Sequence, residues 1–312
     1  MDNLTHTLVG ASLGRAGLAR RTRFGMVALT IGANIPDLDV LGLPFGLNLG
    51  FRRGVTHGLP ALLIWPFLLT GLLIGWQRWR SRGHSGGPAP VPRQLLFLSA
   101  IGVCSHPLLD WFNSYGLRWL MPIRGTWFYG DTWFIVDPWV LGALAWGWWA
   151  SRTPANPARR EWPARWALAG LVLYALAMWT GSALGRRQVR HELANLGFGV
   201  PRAVMVTPMA LNPLVRLVVV DDGAAYQIGI LRLGGQLRLD PAKRIETSMT
   251  SIDRVAMEAD DQARQFLAWA RFPFAMVRME GDTVVTVLDY ARYSDGTRGS
   301  FARTEVRTPA RR

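Results

Sequence analysis

The hydrophobic residues are concentrated in the first 185 residues, in long runs separated by short basic segments. A helix needs about twenty apolar residues to cross the hydrocarbon of a bilayer. Four runs have close to that length: 58–77, 94–112, 133–150 and 166–184. This pattern predicts a polytopic bundle of membrane helices.

Two shorter apolar segments, 3–19 and 24–35, precede these runs. Each is too short to cross the membrane alone. Irregular or partial segments are tolerated at membrane depth only where other protein surrounds them. We therefore expect two half-spans or re-entrant helices buried among the longer ones.

From Arg186 onward the sequence is typical of a soluble domain. Alternating apolar and polar residues predict strands at 214–220, 225–233, 283–290 and 301–307. Residues 251–271 predict an amphipathic helix with Ser251 as its N-cap, and its predicted inner face is Ile252, Val255, Ala259, Ala263, Phe266 and Trp269. The expected fold is thus mainly α, with a helical membrane domain over 1–185 and a small α+β domain over 186–312.

The charge pattern changes the expected partner. A net charge of +14 would ordinarily suggest nucleic acid. The arginines of the first half, however, cluster between the apolar runs, near 20–23, 78–93 and 152–165. That distribution is typical of membrane topology and anionic headgroups, so we expect no nucleic-acid partner. The single cysteine, Cys104, excludes an internal disulfide and a cysteine-based zinc site.

The same clusters predict the orientation of the chain. The positive-inside rule places all three in the cytoplasm of a bacterial inner-membrane protein. Five of the seven acidic residues in 1–185 and three histidines then lie at the opposite face: Asp37, Asp39, Asp110, Asp131, Asp137, His6, His57 and His106. The C-terminal domain follows on the extracytoplasmic side, although Arg186, Arg187 and Arg190 after the last run oppose this.

The chemistry centres on His106-Pro-Leu-Leu-Asp110. Residues four apart share one face of a helix, so the imidazole and the carboxylate can point at one object. Burying them against hydrocarbon is costly unless each has a partner. A simple His–Asp hydrogen bond would suffice for this motif alone. The recurrence of His and Asp at other segment ends favours a shared cation.

A set of nitrogen and oxygen ligands without thiolate suits zinc, manganese or iron(II). The candidate ligands of one or two divalent ions are His6, Asp37, Asp39, His57, His106 and Asp110, with Asp110 as the bridge between two ions. A water at an open position would supply hydroxide as the nucleophile. One of Asp37 and Asp39 would ligate, and the other would orient a histidine or act as base.

Three further residues are candidates for catalytic support. Asp131 and Asp137 would act as a base or as partners of the ligands. Arg53 would clamp a phosphate or carboxylate of the substrate, or anchor a lipid headgroup, and the two interpretations are equally open.

Five motifs carry a resemblance to a known family: DNLTHTLVG (2–10), NIPDLD (34–39), RGVTHG (53–58), HPLLDWFNSYG (106–116) and WF...D...FIVDP (127–138). In order and spacing they resemble the YdjM-like family of membrane-bound metal-dependent hydrolases. The order His6, Asp37 or Asp39, His57, then His106 with Asp110 is also similar to that of zinc-dependent phospholipase C and the P1-type nucleases. The resemblance implies hydrolysis, and the remoter similarity implies a phosphoester.

Two hypotheses follow. The first is a metal-dependent hydrolase, with zinc or manganese, that cleaves a lipid-linked or amphiphilic (phospho)ester at the outer face of the membrane. The second is a non-enzymatic membrane protein, a transporter or assembly factor, whose His/Asp cluster is structural or relays protons. The sequence leaves the substrate and the oligomeric state open.

Overall fold

The computed structural model describes residues 1–45, 49–82, 88–152, 159–246, 257–258, 260–294 and 302–309. The chain divides into two compact units, with the boundary between Trp179 and Thr180. The boundary predicted at residue 185 falls within the same long helix, which runs through both units.

The first unit is helical. Its helices are α1 (Asn3–Arg15), α2 (Gly25–Gly32), α3 (Leu59–Arg80), α4 (Pro92–Phe112), α5 (Pro138–Ala150) and α6 (Trp162–Asn195), with 3₁₀ helices at Leu18–Arg21 and Ile35–Phe45. The side chain of Asp2 caps α1 by accepting the backbone N–H of Thr5. The brevity of α1 and α2 agrees with the prediction of two helices too short to span.

Three of these helices, α3, α4 and α6, are long and apolar enough to cross a membrane. The prediction of a membrane span at 133–150 is wrong. Pro138 is the first residue of α5 and Asp137 is its N-cap, so the helix has only 13 residues. At 1.5 Å per residue that is about 20 Å, well short of the hydrocarbon core.

Glycines allow α2 and α4 to approach closely. A Cβ atom added to Gly102 would lie 2.8 Å from the carbonyl oxygen of Leu29 and 3.2 Å from the Cα of Gly32. Small residues permit this backbone contact between membrane helices. The contact places the C-terminus of α2 beside the next turn of α4, which carries His106.

The helices have two chemically different ends. α3 and α4 run antiparallel: His57, just before α3, contacts His106 near the end of α4. The other ends of the helices carry the arginine clusters. There the backbone N–H of Val91 donates to the hydroxyl of Thr22 (2.7 Å), and Arg165 Nε donates to the carbonyl of Ala16 (2.9 Å). The basic connectors thus lie together, at the end of the helices opposite the His/Asp residues.

The second unit contains two antiparallel sheets. One has the order β1-β2-β3-β4 with β5 also paired to β3, and the other has the order β6-β7-β8. The strands are β1 (Ala203–Pro208), β2 (Val215–Asp221), β3 (Ala225–Arg232), β4 (Leu237–Leu239), β5 (Ile245–Glu246), β6 (Pro273–Glu280), β7 (Thr283–Tyr290) and β8 (Arg303–Pro309). The four predicted strands are confirmed as β2, β3, β7 and β8. Sequence reasoning missed β1, β4, β5 and β6.

The prediction of one amphipathic helix over 251–271 is confirmed only in its second half, because Asp260 has an extended backbone and caps a helix that begins after it. Helix α7 spans Asp261–Trp269 with Asp260 as its N-cap, and Ala263, Phe266 and Trp269 are buried as predicted. The proposed cap Ser251 and the inner-face residues Ile252, Val255 and Ala259 lie outside the described residues.

Candidate metal centre

Four side chains from separate segments of the first unit converge in the protein interior. One ligand atom from each of Asp37, His57, His106 and Asp110 lies within 4.8 Å of the others. Asp37 is 6% exposed, and the other three are completely buried. These four residues therefore form the group that can hold a metal ion.

The separations suit a small cation at the centre of the group. His57 Nε2 lies 3.1 Å from His106 Nε2, 3.7 Å from Asp37 Oδ1 and 3.5 Å from Asp110 Oδ2. His106 Nε2 lies 3.6 Å from each of the same two oxygens. A tetrahedron with edges of about 3.5 Å has its centre about 2.1 Å from each corner, which is the range of Zn–N and Zn–O bonds.

A backbone carbonyl fixes the orientation and tautomer of His106. Its Nδ1 lies 2.7 Å from the carbonyl oxygen of Ala33, the C-cap residue of α2. A carbonyl only accepts hydrogen bonds, so Nδ1 carries the proton. In the neutral ring the lone pair of Nε2 then points into the group, as in histidines that bind metal.

His57 is oriented through Thr56 and Asp39. Its Nδ1 lies 2.9 Å from Thr56 Oγ1, which in turn lies 3.3 Å from Asp39 Oδ2. The Thr56 hydroxyl donates its hydrogen bond to the Asp39 carboxylate, so it accepts one from the N–H at Nδ1 of His57. Burial lowers the pKa of His57. The ring is therefore neutral, and the lone pair of its Nε2 faces the group.

If both rings are neutral, two lone pairs face each other across 3.1 Å. In these tautomers neither Nε2 atom carries a proton, so neither can donate a hydrogen bond to the other. Asp110 Oδ2 also accepts no hydrogen bond from the described residues. Buried acceptors left in this state are costly. A cation between them converts the repulsion into coordination.

The two acidic residues of the 3₁₀ helix Ile35–Phe45 have different surroundings. Asp37 belongs to the group of ligand atoms. Asp39 accepts the backbone N–H of Arg53 at 2.7 Å and lies 3.5 Å from His57 Nδ1, on the side of the ring away from the group. Arg53 has a left-handed backbone (φ 49°), which is uncommon outside glycine, and this hydrogen bond supports it. The geometry therefore places Asp37 among the possible ligands and Asp39 behind His57, outside that group.

The second oxygen of Asp110 faces another set of partners. Oδ1 lies 3.3 Å from His6 Nε2 and 3.1 Å from Arg53 Nη2, and it contacts the amino group of Met1. His6 also stacks on His106, with ring centroids 3.8 Å apart. Burial lowers the pKa of His6 to about 3, so this ring is neutral as well. His6 therefore lies beside the centre but outside the four-residue group.

Arg53 is a buried partner of the site. Its Nη1 also donates to Asn113 Oδ1 (3.3 Å) and to the carbonyl of Gly116 (3.2 Å), and its guanidinium lies over the ring of Tyr115. This position favours a role in holding Asp110 over the substrate clamp or headgroup anchor considered from the sequence.

The structure does not bring Asp131 and Asp137 into the group of ligand atoms. Asp137 Oδ1 accepts the backbone N–H groups of Trp139 and Val140, and its Oδ2 accepts the hydroxyl of Tyr174 at 3.1 Å. Burial raises the pKa of Asp137. Asp131 is 5% exposed and has a left-handed backbone (φ 50°) in the loop after α4.

Sequence reasoning missed Thr56, Ala33 and Asn113. Thr56 directly precedes the candidate ligand His57, and its hydroxyl, which could orient that ring, was the one signal available in the sequence. The carbonyl of Ala33 and the amide of Asn113 act through hydrogen bonds between distant segments, which no local pattern shows.

Residues 1–186 match the family model described as YdjM inner membrane protein. Over 300 residues the chain is also 24% identical to the uncharacterized protein YfhP of Bacillus subtilis (strain 168), a match that covers 91% of this chain and 83% of YfhP. No solved structure matches the chain significantly. The resemblance to phospholipase C and the P1-type nucleases therefore stays a prediction.

Proposed function

Because the chain belongs to the YdjM inner membrane protein family, we propose that it is a metal-dependent hydrolase that cleaves a lipid-linked or amphiphilic ester, most simply a phosphoester. The observation that carries this proposal is the 3.1 Å approach of His57 Nε2 to His106 Nε2 between two buried carboxylates, a group that could hold a metal ion.

Zinc suits this set of ligands best. Two imidazoles and two carboxylates match its usual ligand types, and their nitrogen–oxygen separations of 3.5–3.7 Å suit its bond lengths. Manganese is the alternative for such nitrogen and oxygen donors. One ion fits better than two. Oδ1 of Asp110, which would have to bridge to a second ion, is already paired with Arg53 and the amino group of Met1.

A bound divalent cation would lower the pKa of water and polarise the ester bond under attack. The protein supplies the remaining functions. Asp37, the only one of the four ligands with any exposure, marks the side from which substrate would reach the centre. His6 stays neutral beside Asp110 Oδ1, and its pKa of about 3 makes it too weak a base to take up the released proton near neutral pH.

An amphiphilic substrate suits the segment that supplies Asp37. The same 3₁₀ helix exposes four apolar side chains: Leu38 (47%), Val40 (42%), Leu41 (64%) and Phe45 (81%). Its Asp37 faces the metal group while these apolar side chains point outward. A headgroup could therefore reach the centre while its hydrocarbon chains contact this apolar face. The basic helix ends lie opposite, so we place the site and the C-terminal domain outside the cytoplasm.

One observation favours a non-enzymatic alternative. Catalytic zinc sites usually have three protein ligands and an open position, whereas structural sites have four protein ligands. With four ligands, the centre could instead hold a metal, or a shared proton, that stabilises a transporter or assembly factor.

Hydrolysis by the purified full-length protein in detergent distinguishes the two. We expect release of p-nitrophenol from a long-chain alkyl p-nitrophenyl phosphate, dependent on added zinc and lost in Asp37→Asn. Glu161→Gln is the matched control, because Glu161 lies at the basic helix ends, paired with Arg20. A protein that is fully loaded with metal yet inert toward a panel of phosphoesters and carboxyl esters would support the structural alternative.

A further inference from the structure

A second polar feature lies at the opposite ends of the helices, where the arginines gather. A cavity of about 200 Å³ is lined by Gly14, Arg15, Ala19, Arg20, Met26 and Arg160. It joins the end of α1 to the start of α6. His6 and Arg15 are nine residues apart on α1, which is about 14 Å along its axis. The cavity is therefore separate from the His/Asp centre.

The positive charges around this cavity are only partly neutralised. Arg20 Nη1 pairs with Glu161 Oε1 at 2.8 Å, and the same carboxylate also pairs with Arg165. Glu161 is the only acidic residue in the sequence between 138 and 191. One carboxylate is thus shared by two of the arginines, which leaves Arg15 and Arg160 without an ion pair among the described residues.

Arg15 has the clearest unmet hydrogen bond. Its Nε is buried and has no acceptor among the described residues. Burial, followed by repulsion from Arg160 and Arg152, lowers the pKa of its guanidinium. Guanidinium groups bind phosphate through charge-assisted, often bidentate, hydrogen bonds. A phosphate in the cavity would supply the acceptor and the charge that this cluster lacks.

The size and setting of the cavity also fit a phosphate. About 200 Å³ is several times the 30 Å³ that one water occupies in the liquid. Large aromatic side chains are exposed near the same helix ends: Trp149 (63%), Trp162 (48%) and Trp166 (64%). Tryptophan is enriched where membrane helices meet the headgroup layer. The exposed tryptophans therefore favour a setting beside lipid headgroups for this cavity.

We propose that the cavity between Arg15, Arg20 and Arg160 binds a phosphate group, carried by an anionic phospholipid or free in solution, at the helix ends opposite the His/Asp centre. The aromatic residues around it favour the lipid. This site is independent of the proposed hydrolase activity.

Native mass spectrometry of the full-length protein in detergent tests the proposal. Phosphatidylglycerol, phosphatidylcholine and inorganic phosphate are added in separate arms to wild type and to the double variant Arg15→Gln/Arg160→Gln. The control is Arg78→Gln/Arg80→Gln, which removes the same charge from the exposed end of α3 and does not line the cavity.

We expect phosphatidylglycerol to bind wild type and the control equally, and to bind the cavity variant at least about tenfold more weakly, as loss of two charge-assisted contacts predicts. Binding of inorganic phosphate with the same dependence on Arg15 and Arg160, and no preference for phosphatidylglycerol, would support the site and assign it to a free anion. The proposal would be overturned if the cavity variant bound phosphatidylglycerol and inorganic phosphate as well as wild type does. It would also be overturned if the cavity and control variants lost affinity for these anions to the same extent.

Discussion

The sharpest prediction compares Asp37 and Asp39, two buried carboxylates on one 3₁₀ helix. Asp37 Oδ1 faces both Nε2 atoms of the histidines, at 3.7 and 3.6 Å. Asp39 lies behind His57, where it accepts from Arg53 N and Thr56 Oγ1. Substitution of each by asparagine preserves the shape and removes one charge. The two changes should nevertheless weaken metal binding to different extents.

The expected magnitudes follow from the two positions. Structural zinc sites bind with about 10–16 kcal/mol shared by four ligands, so loss of one ligand costs about 2.5–4 kcal/mol. Asp37→Asn should therefore raise the metal dissociation constant by about 10²–10³-fold. Loss of a group that orients a ligand costs about 10–100-fold. Asparagine at 39 can still accept the hydrogen bond of Arg53, so Asp39→Asn should lie near the lower end of that range.

The assay is a competition titration with a chromophoric zinc chelator, on full-length protein in detergent that elutes as a single species. Asp37→Asn should bind zinc at least several-fold more weakly than Asp39→Asn. If Asp39→Asn were the more damaging change, the assignment of ligand and orienting residue would be reversed. If neither variant differed from wild type, these carboxylates would not belong to a metal site.

Three further predictions concern the surroundings of the centre. Gly102→Ala places a Cβ 2.8 Å from the carbonyl of Leu29, so it should lower the zinc content and reduce stability by about 1–3 kcal/mol. Gly142→Ala, whose Cβ meets nothing within 4 Å, should change neither, and an unaffected Gly102→Ala protein would refute the role of this helix contact. Thr56→Val breaks the chain from His57 to Asp39 and should weaken zinc binding about tenfold, and Thr56→Ser should restore it; equal losses would point to the methyl group instead. Asp137→Ala removes the N-cap of α5 and should cost about 1 kcal/mol of stability, seen as a lower Tm, with zinc content unchanged; loss of zinc would return Asp137 to the centre.

The convergence of the site could be predicted because two independent patterns agree. The arginine clusters and the His/Asp residues occupy alternate segment ends, and a chain that crosses back and forth must bring each class to one side. The structure confirms this arrangement: His57 and His106 meet at one end of the helices, and Val91 and Thr22 meet at the other.

The roles within the site could not be read from the sequence. Asp37 and Asp39 are equivalent by type and spacing, and only the 3₁₀ path of their segment turns one toward the group and the other behind His57. His6 and His106 both lie in helices, but His6 contacts Asp110 Oδ1, the oxygen that is paired with Arg53, and so lies outside the group. These distinctions depend on tertiary contacts between distant segments.

The missed elements have local causes. The third apolar run was extended back to residue 133 on hydropathy alone. Asp137, as N-cap, and Pro138, as first helical residue, show that α5 begins later. The strands β4 and β5 have three and two residues, too short for an alternating pattern to appear.

The metal content of the purified full-length protein tests the central claim most directly. After incubation with zinc and removal of unbound metal, wild type should retain about one equivalent per chain, as a single four-ligand site requires. The variant His57→Ala/His106→Ala should retain almost none while it still elutes as a folded species. Equal zinc in both proteins, or none in wild type, would contradict a cation held between these two imidazoles.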